Sequence, residues 1–226
     1  MGKLGPLTCQ HRHNAESHPN CFYKEKQYLI PKVSDRNIWQ WYHKENCRIG
    51  FFDIETSDLS ADSGWMVSWA LKERGNKPVK VDSITHEDIM SREFDKPLIT
   101  RLLNEMRKFD VIVGYYSSAF DLPFTFSRSK YWNIPYFERE ELHQIDLYFQ
   151  LRAKLATSRK SLKVLTRFYG IDGKTELEFK YWKLASIGMK PELDELIEHN
   201  RQDVIILENL FDKFEDTCKF NKRSII

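Results

Sequence analysis

The sequence predicts an α/β protein in which a mixed β-sheet is flanked by helices and preceded by a small Cys/His segment. Two observations carry this prediction. From residue 48 onward, short apolar runs of strand length come early and segments with helical periodicity come late. One helical segment separates the third and fourth predicted strands, which favours a mixed sheet. We therefore divide the chain into an N-terminal segment, residues 1–47, and an α/β domain, residues 48–226.

Three strands are predicted first. The apolar run in RIGFFDIETSDL predicts a buried strand that ends at Asp53. GWMVSWALKERG and KPVKVDSIT have the apolar and aromatic residues of a second and a third strand. Gly75 and Asn76 stand between these two runs, so a hairpin turn is expected there.

The rest of the domain is predicted mostly helical. Residues 96–108 carry apolar side chains at helical spacing. FDVIVGYY then predicts a fourth strand buried on both faces, and LHQIDLY a short further strand. The last helix is predicted to run from about Pro191, a residue suited to a first helical turn, to beyond Phe214.

Composition sets limits on function. The 226 residues are 41% hydrophobic and 30% charged, as in an ordinary globular protein, and the net charge of +2 neither demands nor excludes a nucleic-acid partner. No stretch approaches the roughly 18 apolar residues of a membrane span, and the N-terminus lacks the apolar part of a signal peptide. We therefore expect a cytoplasmic protein with no membrane partner, whose cysteines are metal ligands or buried thiols.

Acidic residues in three parts of the domain predict a metal site. Asp53 and Glu55 are separated by one residue, so on a strand they point to the same face. Burying two carboxylates side by side is costly without a cation, which indicates a divalent metal. Asp121 follows the fourth strand, and Asp203 lies in the last helix one turn after His199.

These acidic residues belong to three motifs that occur in a known order. FDIET, GYYSSAFDLP and HNRQD, with SLKVLTRFYGI before the third, resemble the motifs of the DEDD exonucleases, a branch of the ribonuclease H-like superfamily. The resemblance covers roughly residues 48–215 and is closest to the exonuclease domain of family B DNA polymerases and its stand-alone relatives. Two positions depart from the pattern. Tyr116 stands where the second motif usually has asparagine, and His199 stands where the third has tyrosine at this spacing.

The resemblance implies a ribonuclease H-like fold and 3′→5′ exonucleolytic cleavage of single-stranded ends, with DNA favoured over RNA. Hard oxygen ligands suit two Mg²⁺ or Mn²⁺ ions. The implied metal ligands are Asp53, Glu55, Asp121 and Asp203, and His199 would accept a proton from the attacking water. Thr56 and Leu59 would contact the terminal nucleotide, although Leu59 could equally pack in the core. Tyr116 and Ser117, in the second motif, are candidate substrate contacts, and the position of Tyr116 is structural or substrate-facing in the relatives.

A basic segment could bind the phosphates of this substrate. Residues 152–167 contain six Lys or Arg and no acidic residue. Arg159, Lys160 and Lys163 are its candidate contacts. A solvated helix face is the alternative, because such faces often have the same composition.

The N-terminal segment predicts a structural zinc site. CQHRHNAESHPNC contains two close ligand pairs, Cys9 with His11 and His18 with Cys21, and His13 is the alternative to His11. A folded zinc knuckle would contact nucleic acid, a protein partner or the domain itself. The alternative is a polar lead-in with incidental histidines.

Two other functions compete with exonuclease activity. One is a weakly active or inactive nucleic-acid-binding or assembly module of the same fold. The other is an endonuclease of the same superfamily. A binding module has no need of four converging carboxylates, and the order of the motifs disfavours the endonuclease.

Overall fold

The computed structural model describes residues 47–138, 141–173 and 177–218. Five strands form one mixed sheet in the order β3-β2-β1-β4-β5. β1 lies at the centre, antiparallel to β2 and parallel to β4, while β2–β3 is antiparallel and β4–β5 is parallel. The predicted mixed sheet is therefore confirmed. The strands are β1 (Ile49–Thr56), β2 (Met66–Glu73), β3 (Val79–Ser83), β4 (Val111–Gly114) and β5 (His143–Asp146).

Helices follow the strands along the chain. The predicted helix near residues 96–108 is α2, whose five regularly spaced apolar side chains are all buried. A shorter helix, α1, precedes it and was not predicted. Thr85 and Asp88 form a capping box that closes its first turn, and none of its own residues is buried. The helices are α1 (His86–Met90), α2 (Lys96–Met106), α3 (Asp121–Tyr131), α4 (Leu147–Leu151), α5 (Leu162–Phe168), α6 (Phe179–Ala185) and α7 (Lys190–Phe214).

The alternation of side chains along β1 divides the core into two layers. Phe52 and Ile54 belong to the apolar cluster that includes the buried side chains of α2. Phe51 points to the other face and packs edge-on against Phe211 of α7, with ring centroids 5.5 Å apart. Asp53 has the same parity as Phe51, so it projects toward the face that α7 covers.

The turn between β2 and β3 confirms the predicted hairpin. Gly75 has a φ of +89°, which is readily adopted by glycine and rarely by other residues. Its N–H donates a 2.6 Å hydrogen bond to Glu208 of α7. The turn is thereby fixed to the helix that covers the sheet.

The predicted zinc ligands Cys9, His11, His13, His18 and Cys21 lie outside the described residues. The division of the chain at residues 47 and 48 therefore stays a prediction. In the part of the chain that the structure does describe, no helix is long and apolar enough to cross a membrane.

Candidate active site

Asp53 and Glu55 lie inside β1 and not beyond its end. The sequence predicted that the strand would stop at Asp53, but β1 continues to Thr56 because β2 pairs with it along this whole length. Asp53 stands opposite Ala70, and Glu55 stands opposite Ser68. Pairing with β2 therefore fixes the backbone that carries both carboxylates.

Asp53 is held by a side chain of α7. The Asn200 Nδ2 donates to Asp53 Oδ2 at 2.7 Å. The Asn200 Oδ1 accepts a hydrogen bond of 3.3 Å from the Ser68 hydroxyl, and both Asn200 and Ser68 are fully buried. This chain of contacts restricts the carboxylate of Asp53 to one orientation. Asn200 lies inside the HNRQD motif, and its helical spacing from Asp203 could have predicted that both side chains lie near the same face of the helix.

Glu55 is held between α6 and α7. The Trp182 Nε1 donates to Glu55 Oε2 at 2.8 Å. The buried His199 places its Nε2 3.8 Å from Glu55 Oε1 and 3.9 Å from Asp203 Oδ2. The Trp182 ring packs edge-on against His199, with centroids 5.7 Å apart. His199 thus lies between two carboxylates and against the ring of Trp182.

Asp121, the first residue of α3, is the most deeply buried of these carboxylates, with 4% of its surface exposed. Its Oδ1 accepts a hydrogen bond of 3.2 Å from the N–H of Ile54. That N–H lies beyond Phe51, where the pairing of β1 with β4 ends. Burial raises the pKa of Asp121 from its usual value to about 7, and the charge of Asp146 adds to the shift. A nearby cation would favour its ionised form.

The four predicted carboxylates line one cavity. Asp53, Glu55, Asp121 and Asp203 share a cavity of about 440 Å³. The apolar and aromatic side chains that complete its lining are Ile54, Leu59, Tyr115, Tyr116 and Phe120. The structure therefore brings together side chains from β1, α3 and α7.

The donors of this cavity fit a hard divalent cation, although the site is open. Among the residues described, no group of three or more His, Cys, Asp and Glu side chains is arranged closely enough to hold a metal ion. Mg²⁺ usually keeps several waters and takes only one or two carboxylates directly. The four carboxylates around the cavity supply oxygen ligands of the kind that Mg²⁺ binds. They do not form a closed cage.

The predicted nucleotide contacts in the first motif differ in exposure. Leu59 is 81% exposed and lines the cavity, so the alternative that it packs in the core is wrong. Thr56 is half-buried and donates its hydroxyl to the carbonyl of Asp58 at 2.7 Å. Thr56 therefore fixes the loop that presents Leu59.

The two predicted substrate contacts of the second motif, Tyr116 and Ser117, lie in different surroundings. Tyr116 is 47% exposed and lines the cavity, as expected of a residue that faces the substrate. Ser117 is fully buried, and its hydroxyl accepts a hydrogen bond of 3.0 Å from Gln144 of β5. A Cβ on Gly114 would lie 2.2 Å from the Ser117 Oγ, so this loop is packed tightly against β4. Ser117 therefore supports the loop and does not reach the cavity.

The basic segment is attached to the side of the cavity. Arg159 and Lys163 are exposed and Lys160 is half-buried. Tyr115, which lines the cavity, donates its hydroxyl to the carbonyl of Lys160. Burial raises the pKa of Tyr115 above its ordinary value, so this hydroxyl remains a donor at neutral pH. The backbone of the segment is therefore joined to the wall of the cavity at Lys160.

Comparison with known families agrees with this architecture. Residues 50–215 match the RNase_H_2 family model, which is described as RNase_H superfamily. The chain belongs to the RNase H superfamily. The match includes β1 from Gly50 onward, the other four strands of the sheet and all four carboxylates of the cavity. The ribonuclease H-like fold predicted from the motifs is thereby confirmed.

A solved structure shows the same fold. The chain is similar to the family B DNA polymerase from the hyperthermophilic archaeon Pyrobaculum calidifontis, with a TM-score of 0.61 and 18% sequence identity. The similarity covers 75% of this chain and 24% of the polymerase, so the chain spans about a quarter of that protein's length. This polymerase belongs to the class that the motifs resemble. No curated protein matches the sequence.

Proposed function

We propose that this protein is a metal-dependent 3′→5′ exonuclease that removes nucleotides from single-stranded ends. The observation that carries the proposal is the convergence of Asp53, Glu55, Asp121 and Asp203 on one cavity. These residues come from three separate elements of the fold. Side by side, they would repel one another without a cation. An assembly surface gains nothing from such an arrangement, whereas phosphodiester hydrolysis uses it.

The carboxylates would hold Mg²⁺ or Mn²⁺, and bound ions of this kind stabilise the charges of an in-line displacement at phosphorus. Asn200 and Trp182 would keep Asp53 and Glu55 oriented toward the cavity. The exposed Leu59 and the half-buried Phe120 provide apolar contacts for the terminal nucleotide. The substrate would then lie between the carboxylates and the apolar side chains of Leu59 and Phe120.

His199 is the proposed proton acceptor. A neutral imidazole can take a proton from the attacking water near neutral pH. The imidazolium that results would lie 3.8 Å from Glu55 and 3.9 Å from Asp203, and both carboxylates stabilise that charge. The two carboxylates would therefore favour proton transfer to His199.

A cleavage time course tests the proposal. The full chain is incubated with Mn²⁺ or Mg²⁺ and single-stranded DNA or RNA labelled at either end, beside Asp53→Ala and a chelated control. Asp62→Asn is the matched variant, because Asp62 is an exposed carboxylate in the loop after β1. We expect stepwise shortening from the 3′ end by the wild type and Asp62→Asn, and none by Asp53→Ala.

The same assay separates the competing functions. Internal cleavage products would indicate an endonuclease. Strand binding without cleavage would indicate a binding or assembly module. A preference for one labelled polymer identifies the sugar that the protein accepts.

For the N-terminal segment, we propose one structural zinc ion bound by Cys9, His11 or His13, His18 and Cys21. The spacing of these residues is the support for it. Atomic emission should find one zinc ion per chain after dialysis, and Cys9→Ser should lose it. His11→Ala and His13→Ala compared with each other identify the histidine ligand. Zinc absent from the wild type contradicts the proposal.

A further inference from the structure

The loop between β4 and α3, residues 115–120, supplies a large part of the cavity wall. Four of the nine residues that line the cavity come from this loop and from the helix residue that follows it: Tyr115, Tyr116, Phe120 and Asp121. The position of Asp121 relative to the carboxylates of β1 therefore depends on the conformation of the loop.

The loop contains a turn that a tyrosine does not readily adopt. Tyr116 has a φ of +64°, in the left-handed region, where bulky residues are rare and asparagine is tolerated better. Its carbonyl accepts the N–H groups of Ala119 and Phe120 at 3.0 and 3.1 Å, so the turn leads directly into α3. Such a conformation is costly and persists only where the surrounding structure holds it in place.

A carboxylate from another strand holds this turn. Asp146, the last residue of β5, is buried and is not among the residues that line the cavity. Its Oδ1 accepts the N–H of Tyr116 at 3.0 Å, and its Oδ2 accepts the N–H and the hydroxyl of Ser118 at 2.8 and 2.6 Å. The same Oδ1 accepts the N–H of Phe149, in the first turn of α4, at 3.4 Å. Asp146 therefore joins the turn to β5 and α4.

These contacts use both oxygens of Asp146, and all four donors are neutral groups. Hydrogen bonds to an ionised carboxylate are roughly twice as strong as bonds between neutral groups. Asparagine has only one acceptor oxygen, so at this position its NH₂ group would meet backbone N–H donors. The position therefore requires a carboxylate, and a polar side chain of the same size does not replace it.

We propose that Asp146 is a positioning residue of the cation site, which holds the turn at Tyr116 so that Asp121 shares the cavity with the carboxylates of β1. This inference rests on the proposed function, in which Asp121 binds a divalent cation. Asp146 acts without touching the cation, since it does not line the cavity. When Asp146 is lost, the strained turn relaxes, Asp121 moves with it, and the site loses affinity for the cation.

Direct Mn²⁺ binding tests the inference, because it requires neither a substrate nor cleavage. The full chain is titrated with Mn²⁺ at pH 8, and free Mn²⁺ is measured by electron paramagnetic resonance. Asp146→Asn should weaken Mn²⁺ binding about 10-fold, the lower end for losing a group that orients a metal ligand. Ser118→Ala removes one donor to Asp146 and should weaken binding less.

A matched control and the milder variant keep the test decisive. Asp110→Asn is the control, because Asp110 also accepts a backbone N–H, that of Arg48 at 2.8 Å, but precedes β4 at the end of the strand opposite to the loop. It should leave Mn²⁺ affinity unchanged. If Asp146→Asn does not fold, an unchanged Mn²⁺ affinity of Ser118→Ala would overturn the inference.

Two double variants show how Asp146 acts. With Asp121→Asn in place, Asp146→Asn should cause little further loss of Mn²⁺ affinity, because the ligand that it positions is already lost. With Tyr116→Asn in place, the loss caused by Asp146→Asn should be smaller, because asparagine tolerates the left-handed turn. Undiminished losses in both backgrounds, or a loss no larger than that of Asp110→Asn, would overturn the inference.

The inference and the proposed function can fail separately. If the wild type cleaves from the 3′ end but Asp146→Asn binds Mn²⁺ as tightly as Asp110→Asn does, the function stands and the inference is wrong. If Mn²⁺ binding depends on Asp146 but the wild type cleaves neither polymer, the inference stands and the exonuclease is wrong. A wild type that binds no Mn²⁺ would overturn both.

Discussion

Two buried aspartates in this protein have opposite surroundings. Asp95, just before α2, is fully buried and accepts hydrogen bonds of 2.9 and 2.7 Å from the guanidinium of Arg128. Trp132 and the N–H of Met66 supply two more, at 2.7 and 2.9 Å. Asp121 accepts the N–H of Ile54, and within the described residues no cationic side chain is bonded to it.

The difference separates a structural carboxylate from the candidate metal ligand. The charge of Asp95 is neutralised by Arg128, so the pair joins α2, α3 and β2 and needs nothing else. Asp121 is buried to a similar degree without such a partner, and its pKa rises to about 7 in consequence. A buried carboxylate that lacks a protein cation and borders a cavity marks the place where an external cation would bind.

Breaking the structural pair should have the largest effect on stability. Arg128→Met keeps an apolar stem but leaves the charge of Asp95 buried and unpaired. We expect the free energy of unfolding in urea at pH 7 to fall by about 3–5 kcal/mol. The double variant Arg128→Met with Asp95→Asn should recover part of this loss. A loss below about 1 kcal/mol would mean that Arg128 does not neutralise Asp95.

The corresponding change at Asp121 should have the opposite sign. Because its folded pKa of about 7 exceeds its unfolded value, Asp121 lowers stability progressively as pH rises from about 4 to about 7. Asp121→Asn removes that dependence. The metal-free variant should therefore be more stable than wild type at pH 8, by up to the order of 4 kcal/mol, and equal to it at pH 3. Urea unfolding at both pH values measures this difference.

The stabilised variant should also be inactive. An amide cannot replace the negative charge that Asp121 would supply as the proposed metal ligand, so cleavage by Asp121→Asn should fall by about 10³-fold. Mn²⁺ should raise the unfolding midpoint of the wild type more at pH 8 than at pH 6, since the cation requires the ionised carboxylate. A destabilised Asp121→Asn at pH 8 would contradict the contrast with Asp95.

The side chains that orient Asp53 should contribute less than the carboxylates themselves. Asn200→Ala removes the donor to Asp53 and leaves the proposed metal ligands in place. We expect the cleavage rate, or the affinity for Mn²⁺, to fall about 10–100-fold. Ser68→Ala, one step further along the same chain of contacts, should cost less. If Ser68→Ala has the larger effect, the orientation of Asp53 does not depend on Asn200.

Sequence patterns predicted the parts of the fold that depend on local spacing. The buried face of α2 follows from its apolar periodicity, and the four carboxylates follow from three short motifs. The short helix α1 was missed because a capping box, and not an apolar stripe, defines it. Ser117 was assigned to the substrate because it lies in a motif, but the packing of its loop against β5 turns it inward.

Contacts between distant segments could not be read from the sequence. Glu55 and Trp182 are 127 residues apart, and Asp95 and Arg128 are 33 apart. Each of these residues is ordinary where it stands in the chain. Its role depends on where the sheet and helices bring it, which local periodicity does not report.

The smallest predicted effect uses two tryptophans as a matched pair. Trp182→Phe removes the indole N–H that Glu55 accepts while retaining a ring against His199. Trp65→Phe removes the same group where it donates, at 3.0 Å, to the carbonyl of Ser186. We expect Trp182→Phe to weaken Mn²⁺ binding about 10-fold, the lower end for losing a partner of a ligand. Trp65→Phe should leave Mn²⁺ affinity unchanged, because its acceptor is a backbone carbonyl just after α6 and not a carboxylate of the cavity. The Mn²⁺ affinity of both variants is measured by titrating activity against Mn²⁺. Equal losses in the two variants would show that both indoles act only through packing. A loss confined to Trp182→Phe would show that the hydrogen bond to Glu55 strengthens Mn²⁺ binding in the cavity.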